Sequence, residues 1–268
     1  MPFLLLILLL LLPPPALAQP TILSVPFTSE APDGRWTAPW NNACEEASIV
    51  MAEQYYLGKS ALSKQKAKSE MFRYVAIENR IFGYNANTDA GEMEKLINEY
   101  STSFNAKVTD NPTIEQIKDE LRAGRPVISL HYGYELHNPL IPFRRGGTYY
   151  HVMVIIGFDE EKKEFIVNDD GNERSGAKYR YSYETTMRSL HDYVHNTRKT
   201  NGTPRVLFTY PKFVKATGSN RVYRIQGNTK HYISNPRAFR NRRWKWEAVR
   251  TVDPTWLNSL ETGEVISQ

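Results

Sequence analysis

The order of the predicted secondary-structure elements constrains the fold of this chain most strongly. Apolar residues with helical spacing predict helices in the first half of the chain, from Ala43 to Gly58 and over 62–81, 88–100 and 113–123. Strands predominate later, at 126–131, within a hairpin over 149–168, and at 205–209, with one more helix predicted over 182–195. This order lacks the regular strand–helix alternation of a parallel βαβ sheet. The sequence therefore predicts an α+β fold.

The first 18 residues have the pattern of a secretory signal peptide. An apolar run from Leu4 to Leu12 precedes a small-residue site that ends at Ala18, after which we expect cleavage. The run is too short for a membrane-spanning helix, which needs about 20 apolar residues. We therefore expect an exported protein, extracellular or associated with the cell envelope.

The charge distribution divides the remaining chain into two predicted units. The net charge is +5, but residues from Phe213 onward carry ten basic and four acidic side chains, which leaves the preceding part near neutral. We predict a main domain over 21–210, a linker over 211–220 and a small basic domain over 221–268, with a hairpin around Gly227. In an exported protein this basic unit favours an anionic cell envelope as partner over nucleic acid. The oligomeric state is left open.

Cys44 is the only cysteine, so the fold contains no internal disulfide. It lies in the first turn of the predicted helix, where Asn41 or Asn42 is the expected N-cap. The unpaired N–H groups and the helix dipole at such a position favour an anion, which predicts a lowered thiol pKa. A nucleophilic thiol and an inert core cysteine are the two interpretations.

His151 and the residues 168–170 are the candidate partners of such a thiol. His151 opens an otherwise apolar strand, so it can act as a base from a rigid element. The second strand of the hairpin returns to within about two residues of His151, which makes cross-strand contact with Asn168, Asp169 or Asp170 feasible. The spacing does not select among these three residues. His131, at the end of another strand, is a competing base.

Four segments of the chain resemble the bacterial peptidase family related to the bacteriocin-processing, double-glycine peptidases. These segments are 25–32, 39–48, 150–159 and 165–171, and the similarity extends over about residues 22–210. The resemblance implies a papain-like fold and a peptide or protein substrate, with no cofactor and no metal. It assigns Cys44 as the nucleophile, His151 as general base and acid, and Asp169 as the residue that orients His151.

One position departs from this family. The family commonly has a glutamine whose amide donates to the oxyanion, and Glu30 stands at the matching position. A carboxylate there would oppose the oxyanion, and loss of one such donor costs about 2.7–4 kcal/mol. Either Asn41 or Asn42 supplies the amide instead, or the enzyme is impaired. An inactive peptidase fold that only binds its ligand is therefore the main alternative function.

A zinc hydrolase is a further alternative. His191 and His195 are four residues apart in the predicted helix over 182–195, a spacing that zinc peptidases use. The residue after the first histidine is Asp192 rather than the glutamate of those enzymes, and the sequence offers no third ligand. We therefore favour the thiol chemistry.

Overall fold

The structure is a computed structural model, and it describes residues 19–139, 149–171 and 174–267. The signal peptide predicted for residues 1–18 lies outside these ranges. Within them, none of the helices is both long and apolar enough to span a bilayer.

The helices of the first half form where apolar spacing predicts them. The described residues contain seven α-helices: α1 (Cys44–Tyr56), α2 (Lys64–Ile81), α3 (Ala90–Tyr100), α4 (Ile114–Arg122), α5 (Tyr183–Ser189), α6 (Pro236–Asn241) and α7 (Pro254–Ser259). Side-chain caps fix several of their starts. Asp89 with Glu92 forms a capping box at α3, and Thr113 with Gln116 forms one at α4.

The strands form two main sheets and one small hairpin. In the described ranges they are β1 (Thr21–Ile22), β2 (Phe104–Asp110), β3 (Val127–Tyr132), β4 (Tyr150–Asp159), β5 (Glu164–Asn168), β6 (Tyr179–Ser182), β7 (Tyr193–Val194), β8 (Lys199–Thr200), β9 (Arg205–Pro211), β10 (Phe213–Ala216), β11 (Val222–Gln226), β12 (Thr229–Tyr232), β13 (Val249–Val252) and β14 (Glu261–Thr262).

The large sheet has the order β2-β9-β3-β4-β5-β6, with β1 paired to one end of β4, and all its pairs are antiparallel. Strand β4 is buried along its whole length because both faces of the sheet are covered. Val152 and Val154 pack in the core that contains helix α1, whereas Met153 and Ile155 pack in the core that contains α4. This alternation follows from the two-residue period of a strand. The predicted α+β fold class is confirmed.

The predicted linker over 211–220 is wrong. Strand β10 begins at Phe213, directly after β9, and it lies within the five-stranded sheet ordered β13-β10-β11-β12-β14. Phe213 and Val214 are fully buried, and the Lys212 ammonium donates to the carbonyl oxygens of Asn98 and Ser101. The segment therefore joins the two sheets through packed and hydrogen-bonded residues. The hairpin predicted around Gly227 forms from β11 and β12.

The helix predicted over 182–195 is much shorter than expected. Helix α5 ends at Ser189, and the chain then continues into the β7–β8 hairpin. Leu190 forms a bridge to His131, and the His191 N–H donates to the carbonyl oxygen of Leu130. These backbone contacts with β3 end the helix, because a residue paired with a strand cannot also continue an α-helix.

Candidate active site

Glu30 organises the start of helix α1, where Cys44 is the first residue. A short 3₁₀ turn over Trp40–Asn42 precedes the helix, and Ala43 occupies the N-cap position. The Ala43 N–H donates to Oε2 of Glu30 at 3.0 Å, and the N–H of Glu30 donates to the carbonyl oxygen of Asp170. Asn41 and Asn42 are therefore not the N-cap that we predicted. The Glu30 carboxyl group satisfies a backbone donor next to Cys44 instead.

The Cys44 thiol is buried beside acidic groups. Its Sγ is 3.1 Å from Oε2 of Glu45, to which it donates, and the other oxygen of Glu45 accepts from the Thr88 N–H. Burial raises the pKa of Cys44 well above its usual range, and the charges of Glu45, Glu30 and Asp170 raise it further. The expected lowering of this pKa by the helix N-terminus is wrong, because burial and nearby carboxylates outweigh the dipole.

His151 is held by Asp169, the first residue after strand β5. Nε2 of His151 lies 2.8 Å from Oδ1 of Asp169. The other oxygen of Asp169 accepts from the Tyr181 hydroxyl at 2.6 Å and from Asn138 Nδ2 at 3.2 Å. Asp169 is fully buried, so these contacts fix the position of the carboxylate and, through it, of the imidazole.

The charges of this pair support each other. Burial opposes ionisation of Asp169, but the charge of His151 and hydrogen bonds from His151, Tyr181 and the Gly171 N–H lower its pKa overall. Burial likewise opposes protonation of His151, yet the charges of Asp169, Glu30 and Glu45 raise the pKa of its imidazole. An ionised Asp169 therefore stabilises the imidazolium that forms when His151 accepts a proton.

Contacts of helix α1 place Cys44 and His151 in one site. Ser48, one turn after Cys44, donates to Asp170, whose other oxygen lies 4.0 Å from Nε2 of His151. Helix α1 also packs directly on strand β4, which carries His151. The structure thus brings the three residues Cys44, His151 and Asp169 to one place between α1, β4 and the end of β5.

Residues 168 and 170 have different environments from Asp169. The side chain of Asn168 bonds backbone groups of Val25 and Lys178, which is a structural role. Asp170 accepts from the Ser48 hydroxyl at 3.2 Å, while its Oδ1 lies 4.0 Å from Nε2 of His151. That oxygen is buried and has no hydrogen-bond partner among the described residues. The geometry therefore selects Asp169 from the three candidates as the one that contacts His151.

Among the described residues, the site contains more carboxyl groups than the imidazole of His151 can balance. Burial raises the pKa of Glu30 to about 7, against the opposing effects of the His151 charge and the Ala43 N–H. Burial also raises the pKa of Glu45, and burial with the charges of Glu30 and Asp169 raises that of Asp170 well above its usual range. Because their pKa values are raised, some of these carboxyl groups carry protons at neutral pH. Glu45 and the supporting residues Tyr181 and Asn138 are not among the residues predicted from the sequence, although the two consecutive glutamates after Cys44 are a signal for Glu45.

The side chains of two other predicted site residues, Asn42 and His131, are not hydrogen-bonded to those of Cys44, His151 or Asp169 within the described ranges. Asn42 is half-buried in the 3₁₀ turn, and its side chain makes no hydrogen bond within the described ranges. His131 faces His151 across the β3–β4 pair, and its Nδ1 lies 2.8 Å from the Ser189 hydroxyl. Burial and the charge of His151 lower the pKa of His131 to about 3, so it stays neutral.

The prediction of a zinc-binding histidine pair on a helix is wrong, because His191 and His195 lie in and beside the β7–β8 hairpin. His191 contacts the carbonyl oxygen of Gly202, whereas His195 contacts Glu92 at 2.9 Å. Two groups in the described part of the chain have metal-compatible spacing, Asp89–Glu92–His195 and His151–Asp169–Asp170, and neither contains His191. The two histidines therefore do not form one ligand set.

Comparison with known protein families identifies the family of this chain. The sequence profile of the Peptidase C39-like family matches residues 22–199, a range that contains Glu30, Cys44, His151 and Asp169. Among solved structures, a protein from Bacillus anthracis described as a C39-like peptidase aligns with a TM-score of 0.43 and 17% identity, over 71% of this chain and 98% of that one. A comparison with curated proteins found no match. The family profile covers well over half of the length of this chain, and the chain therefore belongs to the Peptidase C39-like family.

Proposed function

We propose that this protein is a cysteine peptidase that hydrolyses a peptide-type bond through a thioester on Cys44. The observation that carries the proposal is the hydrogen bond of 2.8 Å between Nε2 of His151 and Oδ1 of Asp169, in the site that also holds the thiol. A base held by a buried carboxylate next to a cysteine at a helix start is the arrangement that thiol acyl transfer requires.

The reaction follows from these positions. His151 accepts the Cys44 proton as Sγ forms a bond to the substrate carbonyl carbon, and the carbonyl π electrons move to oxygen. When they return, the C–N bond breaks and His151 gives its proton to the departing amine. Water then attacks the thioester, with His151 again accepting a proton. The S–C bond breaks, a carboxylic acid leaves, and the thiol regains its proton.

The raised pKa of Cys44 defines how the thiol is activated. Because burial and three carboxyl groups disfavour the free thiolate, His151 removes the proton during attack rather than beforehand. Asp169 stabilises the imidazolium that results. We therefore expect little thiolate in the free enzyme at neutral pH, unlike an enzyme with a preformed thiolate–imidazolium pair.

The experiment compares the wild type with Cys44→Ala on a pool of quenched fluorescent peptides, including Gly-Gly sequences, and on muropeptides. Cleavage by the wild type and none above background by Cys44→Ala is the expected result. Lys199→Ala, an exposed substitution in β8, serves as the matched control. Unchanged cleavage by Cys44→Ala would end the proposal.

A peptide-binding protein without catalysis is the second candidate, and the acids that raise the thiol pKa are the observation that favours it. In that case the wild type and Cys44→Ala would bind a peptide with equal Kd, and neither would cleave it. The predicted export would give either function access to peptides outside the cell. The anionic envelope stays a proposed partner of the basic C-terminal residues.

A further inference from the structure

We infer that Glu30 acts as a neutral carboxylic acid, donating a hydrogen bond to the oxyanion that forms when Cys44 attacks the substrate carbonyl. This inference rests on the proposed function, and it concerns how pH regulates the same site. A neutral carboxyl group and a carboxamide have similar shapes, and each offers a hydrogen-bond donor and an acceptor. Glu30 would thereby replace the glutamine that the family commonly has at this position.

The hydrogen bonds of Glu30 leave one of its oxygens available for this role. Oε2 is occupied by the Ala43 N–H at 3.0 Å, one residue before the nucleophile. Oε1 has no hydrogen-bond partner among the described residues, and the residue keeps 8% of its surface exposed. Anchoring through Oε2 fixes the carboxyl group beside Cys44, so that a proton on Oε1 would be available to a bound substrate oxygen.

The groups facing Glu30 make the neutral form the stable one in acid. Among the described residues, strand β4 contributes His151, which can be positively charged, whereas α1 contributes Cys44 and Glu45, and the end of β5 contributes Asp169 and Asp170. Burial, with the charges of Glu45 and Asp169, raises the pKa of Glu30 to about 7, even though His151 and the Ala43 N–H act in the opposite direction. Below this pH the donor is present, and above it a carboxylate repels the oxyanion.

The consequence is an enzyme that loses activity as the pH rises above neutrality. Removal of one oxyanion donor lowers kcat by about 10²–10³-fold. The pH dependence of the thiol is opposite, since a higher pH increases the thiolate fraction. A fall in hydrolysis at a pH where the thiol becomes more reactive is therefore the specific signature of the Glu30 proton.

The test uses Glu30→Gln, whose amide is a permanent donor of nearly the same shape. We expect the kcat/KM of the wild type, divided by that of Glu30→Gln, to fall about tenfold per pH unit above pH 7, because the changes at His151 and Cys44 are common to both proteins. At pH 8.5 the variant should exceed the wild type by at least about tenfold, with both within a few-fold at pH 5. All assays contain EDTA, so that no bound cation replaces the proton.

Alkylation by iodoacetamide is the control that separates the oxyanion from the thiol. It consumes the Cys44 thiolate without forming an oxyanion, so it reports any effect of Glu30 on the thiol pKa alone. We expect the ratio of hydrolysis to alkylation to fall with pH in the wild type and to stay constant in Glu30→Gln. Equal changes in both rates would overturn the inference, because Glu30 would then act only on the thiol.

A direct titration gives a readout that does not depend on activity. The ¹³C carboxyl resonance that Glu30→Gln removes should titrate near pH 7, and an ordinary pKa near 4.5 would overturn the inference. Loss of hydrolysis in Glu30→Gln at pH 5, with alkylation intact, would also overturn it. If instead wild type, Glu30→Gln and Cys44→Ala give identical hydrolysis at every pH, the proposed function itself has failed.

Discussion

The two ends of helix α1 each hold a buried glutamate, and they balance its charge in different ways. At the C-terminal end, Glu53 bonds Arg73 at 2.6 Å, the Thr102 N–H at 2.6 Å and the Ser101 hydroxyl at 3.1 Å. At the N-terminal end, Glu45 bonds the Cys44 thiol and the Thr88 N–H, with no Arg or Lys within ion-pair distance in the described residues.

The difference shows how the fold separates stability from chemistry. Both glutamates are almost fully buried on a helix that exposes only one of its 13 residues partly. A guanidinium neutralises the structural carboxylate permanently, whereas the site leaves its acids to be balanced by His151 and by protons. Protons can be exchanged during a reaction and a fixed guanidinium cannot. The pH sensitivity of this protein should therefore concentrate at the Cys44 end of α1.

The largest expected effect comes from removing His151, the base at the Cys44 end. His151→Ala should lower kcat/KM by about 10³-fold, because proton transfer from the thiol and to the leaving amine loses its base and acid. Measurement of kcat/KM on the best peptide of the pool checks this. Near-ultraviolet circular dichroism controls for folding. A loss of less than tenfold would mean that another group moves the proton.

Removing the cation at the other end should affect stability instead. Arg73→Met leaves the Glu53 carboxylate buried without its ion-pair partner, which should lower the free energy of unfolding by about 3 kcal/mol. Urea unfolding at pH 7 measures this change. The control is Arg80→Met, an exposed position on helix α2, which also carries Arg73, and it should change the free energy of unfolding by less than about 0.5 kcal/mol. An equal effect of the two substitutions would refute the comparison.

The pH dependence of stability should identify Glu30. Its pKa is about 4.5 in the unfolded chain and about 7 in the folded one, so the folded state holds the proton more tightly. The resulting stabilisation is complete below pH 4.5 and is lost as the pH rises through 7. Relative to Glu30→Gln, the wild type should lose roughly 3 kcal/mol across this window. Parallel curves for the two proteins would contradict it.

A smaller effect is expected at Glu46, also in the first turn of α1, which interacts with Glu78 of α2. Burial raises the pKa of Glu78 to about 8, and burial together with Glu78 raises that of Glu46. Glu78→Gln should therefore stabilise the protein at pH 8.5 by about 1 kcal/mol, because one fewer proton must be bound on folding. Thermal unfolding at pH 5 and 8.5 checks the sign, and an equal shift at both would count against it.

Several features could be predicted from the sequence because they depend on local patterns. The start of α1 at Cys44, the strand with His151 and the hairpin that returns to Asp169 follow from apolar spacing and turn residues. The end of α5 could not be predicted, because it depends on pairing of Leu190 with β3, far away in the chain.

The electrostatics of the site were also beyond local patterns. The helix start of Cys44 favours a low thiol pKa, but burial and the adjacent Glu45 reverse the shift, and Glu30 and Asp170, from 14 and 126 positions away, raise the pKa further. Likewise, 211–220 has the composition of a linker, and only its pairing with β11 and β13 makes it part of a sheet. Charge and burial set by long-range contacts decide these properties, and a single sequence does not reveal them.

Trapping the acyl-enzyme tests the central claim most directly. Mixing the enzyme with a cleavable peptide, quenching in acid within milliseconds and measuring the intact mass should reveal a thioester. We predict a mass increase equal to the acyl half of the peptide, located on Cys44 by digestion and absent in Cys44→Ala. Steady cleavage of the peptide with no adduct on Cys44, or with an adduct at another residue, would contradict the account.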